Sequence, residues 1–219
     1  MPSTKSPQHA HTASFRRQLI QAGLGLGLAS VALFSASASA AAIIGKTAPA
    51  ITLQTLNGKS IGSADFKNKW VVLEWTNPGC PFVQKHYQAG NMQATQSAAI
   101  QAGFTWVQFN STNPNHQDYK APKDMAAWNS QMKAQTSLAT LDPNGATGRA
   151  FGAKTTPQMV IINPQGTVVY NGAIDSIRSA SPADISKATN YVLKAMAEIK
   201  AGKPVSEPET SPYGCSIKY

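Results

Sequence analysis

Trp70-Val71-Val72-Leu73-Glu74-Trp75-Thr76-Asn77-Pro78-Gly79-Cys80-Pro81-Phe82-Val83 runs from a near-continuous apolar stretch, through a turn, into a helix start. Its first six residues are rich in β-branched and aromatic side chains, the pattern of a central strand buried on both faces. Glu74 is the single charge in that strand. Thr76 to Gly79 ends the run, and Pro81 suits a first helical turn, which puts Cys80 at a helix N-terminus.

Working outward, residues 51–53 and 59–61 flank Asn57-Gly58, a dipeptide that tolerates the backbone angles of a tight hairpin. After the corner come a helix over 92–101, a strand over 105–109, a polar loop over 110–122 and a helix over 123–133. A short strand over 138–141 stops at Asp142-Pro143-Asn144-Gly145, and a short helix follows it. Residues 158–162 and 167–170, joined by Asn163-Pro164-Gln165-Gly166, read as an antiparallel hairpin. Ser181 as N-cap, Pro182 at the first helical position and an apolar face of Ile185, Ala188, Val192, Ala195, Met196 and Ile199 predict one long last helix, stopped by Gly202 and Pro204. This alternation predicts an α/β domain: a mixed central sheet flanked by helices, an N-terminal β-hairpin and an extended C-terminal tail.

Lys5, Arg16 and Arg17 precede an uncharged stretch rich in Ala, Leu and Gly, which ends in Ala38-Ser39-Ala40. A basic start, an apolar middle and a small-residue end are the parts of a cleaved export signal. Phe15-Arg16-Arg17-Gln18-Leu19-Ile20 resembles the twin-arginine type, with Phe15 where Ser often stands. Gly23, Gly25 and Gly27 make the stretch a weak permanent span, so no stable membrane span is expected after its removal. The expected organisation is a signal over 1–41, a domain over 42–202 and a tail over 203–219, with a periplasmic or otherwise exported location. Of the net +9, +6 remains on the mature chain, with scattered lysines. A nucleic-acid partner would require a basic stripe interleaved with aromatics, which is absent, and no cluster of Cys and His calls for a metal or other cofactor.

The chain has two cysteines, Cys80 at the corner and Cys215 in Pro212-Tyr213-Gly214-Cys215 near the end of a tail that its composition would otherwise leave unfixed. A thiolate is the attacking species, and the partial positive charge at a helix N-terminus favours it at Cys80. Cys215 is the one thiol in the chain able to resolve a mixed disulfide on Cys80. Three readings stay open on these residues: a redox-active pair, a permanent staple worth roughly 4 to 5 kcal/mol for so large a loop, or two unpaired thiols. Trp75 and Phe82 bracket Cys80 and form either an apolar floor for a bound partner or part of the core. His86, six residues on, diverges from Cys80 on a helix and reads as a solvated surface residue.

Residues 73–83 resemble the strand, corner and helix start of thioredoxin-like proteins, and Lys154-Thr155-Thr156-Pro157-Gln158-Met159-Val160-Ile161-Ile162 resembles their cis-proline loop. Over residues 45–200 the chain is most similar to the redoxin group, the alkyl hydroperoxide reductase and thiol-specific antioxidant family, and the corner and tail together look like an exported subgroup. The resemblance implies a thioredoxin-like fold with Cys80 as nucleophile and Cys215 as resolving cysteine. It places Glu74 where thioredoxins keep a buried carboxylate able to shuttle a proton, the alternative being a strand-end acid paired with lysine. Thr156 and Pro157 fall where an extended substrate docks. Val83 replaces the second cysteine of the local Cys-x-x-Cys motif. Asn77 stands where peroxiredoxins carry Thr or Ser, and Thr156-Pro157 where they carry a peroxide-orienting Arg. The implied partners are a protein or small-molecule disulfide, or a peroxide, and a cell-envelope thiol reductant. The implied activities are thiol-disulfide exchange, thiol peroxidation or, as a non-catalytic alternative, binding by a domain with a structural disulfide.

Overall fold

The computed structural model describes residues 43–219; the export signal expected over 1–41 lies outside them. Strands β1 (Thr52–Thr55) and β2 (Ser60–Gly62) form the hairpin around Asn57-Gly58, with Gly58 at φ +84°. The chain continues through β3 (Trp70–Trp75), α1 (Pro81–Gln88), α2 (Asn91–Gln101) and β4 (Phe104–Asn110). Next come α3 (Pro122–Gln131), β5 (Leu138–Leu141), α4 (Ala146–Ala150), β6 (Thr155–Thr156), β7 (Gln158–Ile162) and β8 (Val168–Gly172). Helix α5 (Tyr191–Lys200) and strand β9 (Cys215–Ser216) complete it.

Seven strands form one mixed sheet in the order β2-β1-β5-β4-β3-β7-β8. β3 runs parallel to β4 and antiparallel to β7, so the strand carrying Glu74 lies inside the sheet. Successive side chains point to opposite faces. Val71, Leu73 and Trp75 join Val107, Phe109, Val160 and Ile162 on one face, closed by Ile51, Phe66 and Phe151. Val72 joins Trp106, Met159 and Ile161 on the other, under Val83 and Tyr87 of α1, Met92 and Ala99 of α2, and Val192, Ala195 and Met196 of α5. At about 1.5–3 kcal/mol for each large apolar side chain fully buried, these two layers fix the sheet and with it the corner after β3.

The tail is docked along its length. Residues 208–210 follow the outer edge of β8, where Asn171 N donates to Pro208 O (2.9 Å) and Thr210 N to Asn171 O (3.2 Å). Thr210 Oγ1 also meets Tyr170 OH (2.7 Å) and accepts from Ala173 N (2.9 Å). The last residues return across the domain: Cys215 pairs with Thr156 in an antiparallel ribbon of β6 and β9, and Asn113 N donates to Lys218 O (2.7 Å). At the terminus the ring of Tyr219 lies against Gly145 and Gly148, whose lack of a side chain makes room for it.

The last helix departs from its sequence pattern. Residues 182–187 form a separate 3₁₀ turn, Ala188 is extended (φ −86°, ψ 146°), and α5 begins only after Asn190. Backbone pairing is the cause: Ser176 N donates to Thr189 O (3.1 Å) and Tyr191 N to Ile174 O (2.9 Å), which a continuous helix could not allow. Ser181 makes no side-chain cap, whereas Asn190 Oδ1 accepts from Leu193 N at 3.0 Å. Asn190→Ala is therefore expected to cost about 1 kcal/mol or more in urea unfolding, and Ser181→Ala less than about 0.5 kcal/mol.

Candidate active site at the strand-to-helix corner

Cys80 is the N-cap residue of α1, with Pro81 at the first helical position. The preceding turn is held by its own residues: Asn77 Oδ1 accepts from Gly79 N (2.8 Å), Asn77 O from Cys80 N (3.0 Å), and Pro78 O from Gln84 Nε2 (2.9 Å). The Cys80 side chain is 1% exposed, and its Sγ donates to Thr156 O at 3.1 Å. The Thr156–Pro157 peptide is cis.

Thr156 is also the register partner of Cys215, so one short backbone segment receives both sulfur-bearing residues. Both cysteines are free thiols. Burial, then the direct interaction with Cys80 and the negative charge that Cys80 carries when ionised, push the Cys215 thiol up to about 12. Cys215 therefore keeps its proton at neutral pH and stands as a neutral thiol beside Cys80. Gly214 makes this approach possible: its φ is +136°, and a Cβ there would lie 1.9 Å from Thr156 O.

Behind the tail lies a buried polar cluster. Lys85 Nζ donates to Asp175 Oδ2 (3.1 Å), Ile177 O (3.2 Å) and Tyr213 OH (3.3 Å), and Tyr213 OH donates to Asp175 Oδ1. His86 is fully buried, contrary to its reading as a surface residue. Its Nδ1 bonds Asn91 Nδ2 (2.7 Å) and its Nε2 lies 3.8 Å from Asp175 Oδ2. Burial foremost, partly countered by Asp175, lowers its pKa to about 4.

The other residues picked from the sequence are distributed as follows. Phe82 is half-buried beside the corner and meets the Tyr213 ring edge-on at 5.8 Å between centroids. Trp75 is 1% exposed and stacks on Phe109 (5.0 Å) in the layer opposite that of Cys80, so it serves the core and not a docking floor. Glu74 is buried, and burial raises its pKa against the pull of its hydrogen bonds. Its carboxyl accepts from Tyr87 OH (2.7 Å), Gln96 Nε2 (3.0 Å) and Trp106 Nε1 (2.8 Å). These partners are neutral, so Glu74 pairs with no lysine, and none of its bonds reaches either sulfur.

Lys85, Asp175 and Gly214 were missed in the sequence. Only the position of Gly214 directly before the tail cysteine could have drawn notice. Among the described residues no group of three or more His, Cys, Asp or Glu is arranged to hold a metal ion. Among them, too, no helix is long and apolar enough to cross a membrane.

The family model for the AhpC/TSA family matches residues 44–171. A search of curated proteins found no match. Among solved structures, an uncharacterized conserved protein from Geobacillus kaustophilus aligns with a TM-score of 0.72 and 23% identity, covering 81% of this chain and 93% of that one. A hypothetical protein from Sinorhizobium meliloti aligns with a TM-score of 0.67 and 21% identity, covering 81% and 94%. The thioredoxin domain of a thiol-disulfide oxidoreductase from Bacteroides vulgatus reaches a TM-score of 0.48 at 22% identity, covering 66% and 96%. The first two likenesses are of fold.

Two outcomes are expected from this geometry. Gly214→Ala forces a side chain into a carbonyl and a left-sided φ, so it should weaken tail docking by about 1–3 kcal/mol and speed hydrogen exchange of the amides over 213–217. His86 folds neutral with its pKa below the unfolded value. Its contribution is therefore intact above about pH 6.5 and is lost as pH falls towards 4, by about 3 kcal/mol in all. His86→Asn should flatten the stability profile in that window, measured by urea unfolding.

Proposed function

Because the chain belongs to the AhpC/TSA family, we propose that it is an exported thiol-disulfide oxidoreductase of the redoxin type, with Cys80 as nucleophile and Cys215 as resolving cysteine. The observation that carries this reading is the shared backbone segment: Cys80 Sγ bonds Thr156 O, and Cys215 pairs with Thr156 across β6 and β9.

The order of events follows from the charges. Burial holds the Cys215 thiol up and makes it the poorer nucleophile, so Cys80, at the N-terminus of α1, is the sulfur that attacks. Its thiolate displaces one sulfur of the substrate disulfide, which leaves as a thiolate and takes up a proton, and a mixed disulfide remains on Cys80. In that mixed disulfide Cys80 Sγ is an electrophile, and Cys215, paired with Thr156, is the thiol beside it. Cys215 attacks Cys80 Sγ, and its proton leaves on the second substrate sulfur, which departs as a thiol. The substrate gains two electrons and two protons, and the enzyme ends with a Cys80–Cys215 disulfide. A thiol reductant of the cell envelope returns it to the dithiol state by the reverse exchange. Thr156, Pro157 and Phe82 border the place where the substrate segment must lie.

Exchange is favoured over peroxide reduction by what surrounds the sulfur. Among the described residues the arginines are Arg149 and Arg178. Arg149 bonds Asn144 O and faces the Tyr219 ring, and Arg178 bonds Ser211. Neither is bonded to Cys80 to orient a peroxide. Export rests on the basic and apolar pattern of residues 1–41 and on the use of a cysteine pair, which suits an oxidising compartment.

Cys215→Ser should accumulate a mixed disulfide between Cys80 and a model peptide disulfide, visible as a mass increase that dithiothreitol reverses. Cys80→Ser should form none and lose turnover. Unchanged turnover in Cys80→Ser, or peroxide oxidation of Cys80 far faster than disulfide exchange, would overturn the assignment.

A further inference from the structure

The ribbon that brings Cys215 to Cys80 has two residue pairs, and an isolated pairing of that size is marginal in water. Something else must hold the tail in register. Tyr213, two residues before Cys215, is 4% exposed, although it belongs to a Pro-rich extended segment. Its hydroxyl donates to Asp175 Oδ1 and accepts from Lys85 Nζ, and Lys85 Nζ lies 5.6 Å from the centroid of its ring.

Each of these groups is satisfied by the others. Lys85 is 1% exposed, and its ammonium is matched by a carboxylate, a carbonyl and a phenol. Asp175 is 3% exposed and is oriented by Ile177 N, which donates to Oδ1 at 3.2 Å. Burying a lysine and an aspartate is costly unless each is paired and hydrogen-bonded. The cluster is therefore complete only when Tyr213 is seated.

Lys85 also stands on α1, the helix that begins at Cys80, about 7.5 Å along a rigid axis. The anchor point of the tail and the nucleophile are thus parts of one element. Gly214 spans the short distance from the anchor to Cys215.

We propose that Lys85, Asp175 and Tyr213 are positioning residues for the resolving step: they hold the tail so that Cys215 faces Cys80, and they set the effective concentration of the second thiol. The inference rests on the disulfide-exchange reading and adds the residues on which its second step depends. It also makes the tail a cover. Cys80 is buried beneath it, so the population with Tyr213 unseated is the one in which Cys80 can be reached.

One population thus governs two measurements. The first is the equilibrium of the Cys80–Cys215 disulfide with the glutathione couple, in which one glutathione disulfide and the protein dithiol give the protein disulfide and two glutathiones. The second is the rate at which iodoacetamide alkylates Cys80 in a Cys215→Ser background. Tyr213→Phe keeps the ring and removes the hydroxyl, so it should fold. It is expected to lower the effective concentration about tenfold, a rise of about 30 mV in potential, and to raise the Cys80 alkylation rate by a similar factor. Lys85→Met should move both in the same directions. Val192→Ala, at a buried position of α5, should lower stability and leave the exchange equilibrium constant and the alkylation rate within twofold of the wild type.

An alkylation rate and an exchange equilibrium constant both within twofold of the wild type in Tyr213→Phe would overturn the positioning role. So would equal shifts in Val192→Ala, which would mark the effect as general loosening. Failure of the wild type to form a Cys80–Cys215 disulfide would instead overturn the exchange reading, while the alkylation arm would still judge whether the cluster seats the tail over Cys80.

Discussion

The carbonyl of Thr156 is the point on which this site turns. It accepts the Cys80 thiol, and its residue pairs with Cys215. The approach is close enough that the chain opposite must lack a side chain, which Gly214 provides. Any residue with a Cβ there would push the tail off β6 and carry Cys215 with it. The corner, the loop before β7 and the tail are far apart in sequence, and the core of the sheet makes their meeting reproducible. β3 and β7 are adjacent antiparallel strands, so the corner that follows one and the loop that precedes the other emerge at the same edge.

A nucleophile at the surface of a thiol enzyme would normally lie open to its substrate. Over Cys80, the proposed nucleophile, lies the chain's own end, and the arrangement has a cost and a use. The cost is access, because a partner must displace the tail to reach Cys80. The use, in the proposed cycle, is control over the order of the two sulfurs. Burial and the neighbouring Cys80 hold the Cys215 thiol up, so it keeps its proton while Cys80 is free. In a local Cys-x-x-Cys motif the second thiol sits one helical turn away on the same rigid element. Val83 occupies that position here and is fully buried in the core, and the chain's other thiol, Cys215, lies on a separate segment with its own attachment.

The sequence disclosed the elements whose patterns are local. The apolar run 70–75, the Asn57-Gly58 and Asn163-Pro164-Gln165-Gly166 turns and the Pro81 helix start each announce themselves within a few residues, and the structure has strands, turns and a helix there. What it did not disclose depends on partners distant in the chain. The pattern from Ser181 to Ile199 is helical in period, yet backbone pairing between residues 174–176 and 189–191 interrupts it. His86 and Lys85 look like ordinary solvated residues of an amphipathic helix. Asp175 and Tyr213, 90 and 128 residues from Lys85 along the chain, make them interior. Trp75 lies beside the corner in sequence, but the alternation of a strand sends it to the opposite face.

Glu74 shows how far a family position can constrain chemistry without fixing it. Placing a carboxyl in the middle of a buried strand requires donors for its oxygens, and Tyr87, Gln96 and Trp106 supply them. The network continues through Tyr87 OH, which accepts from Gln108 Nε2 at 2.7 Å, to Asn129 Nδ2, which donates to Gln108 Oε1 at 2.8 Å. These bonds tie α1, α2, β4 and α3 together on the face that carries Cys80. Burial favours the protonated acid while the donors favour the carboxylate, and burial is the larger effect. A carboxyl committed in this way to its own network braces the helix on which Cys80 is the cap. The bonds of Glu74 end within that network and reach neither Cys80 nor Cys215.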